Sequence, residues 1–188
     1  MALQNSIAVA FFKAFESFTG ALKTIDNDHA YIHNGIMFGA YDKTTVATTD
    51  TVEYAFITPS TGYIHYRLAG ITTSADSVDT AIYEDAEVTA ETGTELVANN
   101  RSRSSSNTAT AAVIKNPTFT DGGTLLPAFS SFLPGSTGIG QTRVGAGGKS
   151  EDEIVFKQNT VYRFVATNGS SGDNIIASNL RWYEEQEG

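Results

Sequence analysis

From His29 to Tyr183 short runs of alternating apolar and polar residues are each closed by a turn signal. That pattern is the period of a half-buried strand, and it leaves few architectures open. Val52, Tyr54 and Phe56 share one face of a strand, and Pro59 with Gly62 turns the chain. Ile64, Tyr66 and Leu68 share one face of the next, with His65 and Arg67 on the other. The two runs read as a hairpin. Ala81 and Tyr83 mark a further strand, ended by the acidic run Glu84–Asp85–Ala86–Glu87. Thr108 to Ile114 alternates and stops at Asn116–Pro117, because proline cannot continue a central strand. Further strands are expected over Thr124–Phe132, Glu153–Lys157 and Val161–Val165, the last two joined near Gln158–Asn159. In the closing run, Asn174–Tyr183, Ile176 and Trp182 share a face, whereas Ile175 and Leu180 do not fall into a single register. About eight to ten short strands predict an all-β fold: a β-sandwich of jelly-roll type, or a barrel, with early and late strands as neighbours. No helix-length periodic segment follows residue 25, which argues against a βαβ fold.

Composition agrees. Thr, Ser, Asn and Gly make up 68 of the 188 residues, as in a turn-rich chain with a hydroxyl-covered surface. The formal net charge of −9 argues against a nucleic-acid partner, which needs clustered Lys and Arg, and against docking on anionic lipid. There is no cysteine, hence no disulfide framework, thiolate nucleophile or cysteine zinc site. No apolar run approaches the roughly 20 residues of a membrane span. The apolar stretch Ile7–Phe12 lacks preceding Lys or Arg and is broken by Lys13 and Glu16, so no secretory signal is expected.

The first 25 residues differ from the rest. Ile7, Phe11, Phe15, Phe18 and Leu22 recur at spacings of three and four, the stripe of an amphipathic helix, with Phe12 beside it. A stripe this aromatic must be covered. Either it packs on its own domain or it is an arm that inserts into a neighbouring subunit. The expected organisation is an arm over residues 1–25 and a β-sandwich over residues 26–188, with Phe11, Phe12, Phe15 and Phe18 as candidate protein-interaction residues.

Few constellations suggest chemistry. His29 and His33 would share a strand face near Asp26 and Asp28, yet nothing supplies a convincing third metal ligand. Gly145–Ser150 has the end of a phosphate loop, but Arg143 stands where the motif needs its first glycine. No serine sits in a Gly-x-Ser-x-Gly elbow. Glu84, Asp85 and Glu87 resemble a glycosidase carboxylate pair less than a solvated strand end. The sequons at Asn100 and Asn168 are what a serine-rich chain produces by chance. No catalytic residue, metal or cofactor is expected. Asn99–Asn107, the glycine-rich stretch Pro134–Ser150 and Asn168–Asp173 read as loops, the long glycine-rich one mobile or ordered by a partner. Trp182–Tyr183 reads as core, and the polar tail from Glu184 to Gly188 as frayed.

A set of elements in order resembles a known family. These are His33–Asn34–Gly35 with Ile36–Met37–Phe38, Tyr83–Glu84, Gly93–Thr94–Glu95–Leu96 leading to Asn99–Asn100–Arg101–Ser102, and Asn116–Pro117–Thr118 with Asp121–Gly122–Gly123–Thr124–Leu125–Leu126. Glu153 to Tyr162 and Leu180–Arg181–Trp182–Tyr183–Glu184 complete it. The order is similar to that in capsid decoration, or cement, proteins of tailed bacteriophages, over residues 29 to 185. The resemblance implies a non-enzymatic virion protein on the capsid exterior, partnered by the major capsid protein and by itself as a homotrimer. A receptor- or carbohydrate-binding sandwich of a phage fibre is the alternative, suggested by Tyr31, Tyr41, Tyr54, Tyr63 and Tyr66. An enzyme is the least supported class.

Overall fold

The computed structural model describes residues 27–67, 71–73, 77–133 and 153–185. The expected arm with its four candidate phenylalanines lies outside the described residues, as do Leu68 and the glycine-rich stretch. In chain order the elements are helix α1 (Asn27–His33) and strands β1 (Met37–Val46), β2 (Thr51–Ile57), β3 (Tyr63–Arg67), β4 (Ile71–Thr73), β5 (Val78–Glu84), β6 (Glu87–Val88), β7 (Thr94–Glu95) and β8 (Asn99–Asn100). They continue with β9 (Ala112–Lys115), β10 (Phe119–Asp121), β11 (Thr124–Leu125), a single 3-10 turn (Pro127–Phe129), β12 (Ser131–Leu133), β13 (Glu153–Phe156), β14 (Val161–Asn168) and β15 (Asn174–Glu185).

The fold is an all-β sandwich. One sheet runs β13-β3-β15-β1-β8, with β4 also paired to β15; the other runs β11-β5-β14-β2-β9-β7, with β12 also paired to β5. Every pairing is antiparallel, as in the short ladder between β6 and β10. The early and late strands do pair. β1 meets β15 over ten residues, from Met37 opposite Tyr183 to Val46 opposite Asn174.

Alternation fills the space between the sheets. Val52, Tyr54 and Phe56 of β2 point inward with Tyr162, Phe164 and Ala166 of β14, and they meet Ile64 and Tyr66 of β3 with Ile176, Leu180 and Trp182 of β15. Leu180 therefore falls in register with Ile176 and Trp182, and only Ile175 turns outward. At the centre, the Phe56 ring lies edge-on to Trp182 (5.1 Å between centroids), Phe156 (5.5 Å) and Tyr66 (5.8 Å), which joins the two sheets through one aromatic cluster.

Two local expectations are corrected. β2 and β3 do not form a hairpin: β2 pairs with β14 and β9, while β3 pairs with β15 and β13. The link between them crosses from sheet to sheet, and so does the β13–β14 link. The two crossings are bonded to each other. Thr58 Oγ1 donates to the carbonyl of Lys157 (2.8 Å), the Asn159 amide donates to the carbonyl of Pro59 (2.8 Å), and Gln158 Nε2 donates to the carbonyl of Gly62 (2.9 Å). Period-two alternation reports which residues face the core but not which sheet carries them.

The second correction is α1, in a stretch read as the start of strand territory. Asn and Asp, taken as a break, are also the residues that favour helix starts, and Asp28 sits in the first turn. The helix closes in a Schellman motif: the Gly35 amide donates to the carbonyl of Ile32 (3.0 Å) and the Ile36 amide to that of Tyr31 (3.1 Å). Gly35 has φ +67°, and a Cβ there would lie 2.3 Å from Ser105 Oγ. Gly35→Ala should therefore lower stability by about 1–3 kcal/mol, read by urea unfolding, since it combines a left-handed strain with an overlap.

Candidate functional site

The candidate site is the outer face of the β13-β3-β15-β1-β8 sheet, where α1 and the loop after β8 lie over the strands. Tyr183 is the one large aromatic that β15 turns outward into cover. Tyr31 of α1 stacks on it (4.0 Å between centroids), as does His65 of β3 (4.3 Å). Its hydroxyl donates to Glu153 Oε1 (2.9 Å), which also bonds His65 Nδ1 (2.7 Å). Arg67 pairs with Asp28 of α1. Stacking and ion pairing thus pin the helix to the sheet, so the chain enters the sandwich at a fixed point on this face.

Beside the pinned helix the face is open. Gly39 on β1 stands opposite Arg181 on β15 and Asn99 on β8, and Tyr41 stands opposite Asn179. The missing side chain at Gly39 leaves a notch in the row. Arg101 and Arg103 reach over it from the loop after β8. With Tyr41, Asn179 and Arg181 they line a groove of about 380 Å³. The loop is anchored by the chain itself. Asn100 Nδ2 and Asn107 Nδ2 both donate to the carbonyl of Gly35 (2.8 and 3.1 Å), and the Arg101 amide donates to that of Met37 (2.9 Å).

The other expected residues disperse. His29 and His33 lie on α1 rather than a strand, with their Nε2 atoms 2.8 Å apart in a hydrogen bond. Among the described residues no group of three or more His, Asp or Glu side chains is placed to hold a metal. Tyr54 and Tyr66 are core, and Tyr31 is stacked. Tyr41 and Tyr63 are exposed but stand opposite Asn179 and Glu185, roughly 20 Å apart along β15, so no five-tyrosine platform forms. Glu84 accepts from Tyr162 Oη (2.8 Å) and Lys157 Nζ (2.5 Å), a brace between strand ends. Partial burial pushes its carboxyl up, but hydrogen bonds from Lys157 and Tyr162 and the ammonium charge outweigh this and hold it below its ordinary value of 4.5. That contribution is present above pH 4.5 and disappears as pH falls through the lower folded value. Both sequon asparagines are buried and bonded to neighbouring backbone, Asn168 through its amide to the carbonyls of Val46 and Ala47 (3.0 Å each).

Sequence reasoning missed Glu184 and Arg163. Glu184 was placed in a fraying tail, yet it is 6% exposed and bonded to Trp182 and the Thr110–Ala111 backbone. Its even spacing from Ile176 through Trp182 was the available signal. Arg163 forks onto Glu53 (2.6 and 3.0 Å) between the rings of Tyr83 and Phe119. No local pattern announces a contact that spans so much chain.

Tyr54, Tyr66, Tyr162 and Tyr183 all have phenols pushed above the ordinary value of 10, burial being the largest cause in each. The folded chain holds these protons more tightly than the unfolded one. Their contribution is intact below pH 10 and is lost as pH rises toward the folded values. In an alkaline titration followed by tyrosinate absorbance, these four of the eight tyrosines should ionise together with unfolding. Ionisation of these four while circular dichroism stays native would contradict this.

Among the described residues no helix is long and apolar enough to cross a membrane. Compared with known proteins, the chain matches no family model and no curated protein sequence.

Proposed function

We propose that this chain is a virion structural protein that binds the outer surface of a tailed-phage capsid and cements neighbouring major capsid protein subunits, acting as a homotrimer. The observation that carries the reading is the pinned helix. The sandwich fills its centre with aromatics from its own strands, and α1 fixes the point from which the Phe-rich segment departs. In this proposal Phe11, Phe12, Phe15 and Phe18 are the apolar anchor for neighbouring subunits, as their helical spacing suggests. The ordered family-like elements from His33 to Glu184 support the same reading. A symmetric oligomer multiplies a weak contact by about 10²–10⁴ through avidity, which suits attachment to many equivalent sites. The test mixes purified protein with expanded, undecorated phage capsids and images them. Added density at symmetric positions, lost when Phe11, Phe15 and Phe18 are replaced by serine, is expected. No added density at micromolar protein overturns the reading.

A second reading, a carbohydrate-binding sandwich, is favoured by one observation: Tyr41, 62% exposed, stands in the groove beside Arg101, Arg103 and Arg181.

A further inference from the structure

We infer that the groove over Gly39 is a binding site for acidic saccharides, pyranose rings that carry carboxylate groups. The inference deepens the carbohydrate-binding reading and is independent of capsid attachment. Three of the chain's six arginines converge there, although the chain as a whole carries a charge of −9. No carboxylate among the described residues forms an ion pair with Arg101, Arg103 or Arg181. The half-buried cations Arg67, Lys115 and Arg163 are committed instead, to Asp28, Asp42 and Glu53. Arg101 Nη1 donates to Met37 Sδ (3.6 Å) and Arg181 Nε to Asn179 Oδ1 (3.4 Å), neither of them an anion, so an external carboxylate can still pair with these guanidiniums. At physiological salt the Debye length is roughly 8 Å, so the acidic residues elsewhere on the chain do not cancel this local field.

The remaining groups select a sugar over a bare anion. Tyr41 offers an exposed ring face against which the C–H side of a pyranose can lie. Asn99 and Asn179 supply amides that both donate and accept, the pairing sugar hydroxyls require. Guanidinium forks match carboxylates bidentately. The groove floor is held by β1, β8 and β15, and the loop above it by Asn100, so the geometry is set before any ligand arrives. A volume of about 380 Å³ lies within the usual range for small-ligand sites.

Isothermal titration of the full chain with hexagalacturonate, maltohexaose, inorganic phosphate and a single-stranded oligonucleotide tests this. Hexagalacturonate should bind, more weakly as salt is raised, and maltohexaose should bind at least about tenfold more weakly. Arg101→Ala combined with Arg181→Ala should weaken hexagalacturonate by about tenfold or more, and Tyr41→Ala by a comparable factor. All three side chains are exposed, and thermal melts of each variant confirm that the fold survives. No binding of hexagalacturonate at millimolar concentration overturns the inference, as does binding that these variants leave unchanged. Maltohexaose binding of equal strength that Tyr41→Ala abolishes would keep a glycan site and overturn its acidic preference. Phosphate or oligonucleotide binding as tight as hexagalacturonate and indifferent to Tyr41→Ala would show a general anion patch and overturn the saccharide.

Discussion

Replacing Phe56 by alanine should lower the unfolding free energy by about 3–5 kcal/mol and the melting temperature by roughly 10 °C. Phe56 is 0% exposed, and its ring touches Trp182, Phe156, Tyr66 and Phe164. Deleting it removes a ring's worth of buried apolar surface and leaves a void that the edge-on rings of the opposite sheet and Phe164 of its own cannot close. Against a total stability of roughly 5–15 kcal/mol, the loss is a large fraction of what holds the domain together. Val97→Ala, at a position 76% exposed, should shift stability by no more than about 0.5 kcal/mol under the same urea titration. Equal effects from the two changes would show that the sheets are not joined through this cluster.

Glu184→Ala is the second large effect, at about 3–4 kcal/mol. One carboxylate accepts from Trp182 Nε1 (2.9 Å), Thr110 Oγ1 (2.6 Å) and the amides of Thr110 (2.9 Å) and Ala111 (3.2 Å). It ties the approach to β9, in one sheet, to the end of β15 in the other. Truncation leaves the Trp182 and Ala111 donors buried without acceptors. Glu184→Gln should cost less, about 1–2 kcal/mol. It keeps one acceptor oxygen for the Trp182 and Ala111 donors, and Thr110 Oγ1 can turn to accept from the new amide. Urea unfolding of both variants, with tryptophan fluorescence as the probe, reads the difference. A Gln variant as damaged as the Ala variant would mean that charge, rather than acceptor number, stabilises the corner.

The fold class was legible because alternation is a local property. Val52, Tyr54, Phe56, Ile64 and Tyr66 face the core as their spacing requires, and Asn116–Pro117 stops β9. Connectivity was not legible. Pro59 and Gly62 turn the chain as well between sheets as within one, so the apparent hairpin became a crossing. The tyrosines show the same limit in the candidate site. Tyr41 and Tyr54 look alike in sequence, and only the register against β15 and β14 sends one outward and the other into the core. The arginine groove was unreadable for a related reason. Its members come from residues 101, 103 and 181, and the glycine that makes room for them is on a third segment, β1.

β15 pairs with β1, β3 and β4, so the last of the described strands is in the middle of its sheet. During synthesis, a nascent polypeptide that has emerged only as far as β14 can assemble much of the opposite sheet, but β1 and β3 have nothing between them. The edges of β1 and β3 that β15 pairs must wait until β15 clears the ribosome. Such late closure of distant pairings slows folding and exposes sticky edges in the meantime. A stalled or prematurely terminated product should therefore be a substrate for chaperones and proteases rather than a shortened working version of the molecule.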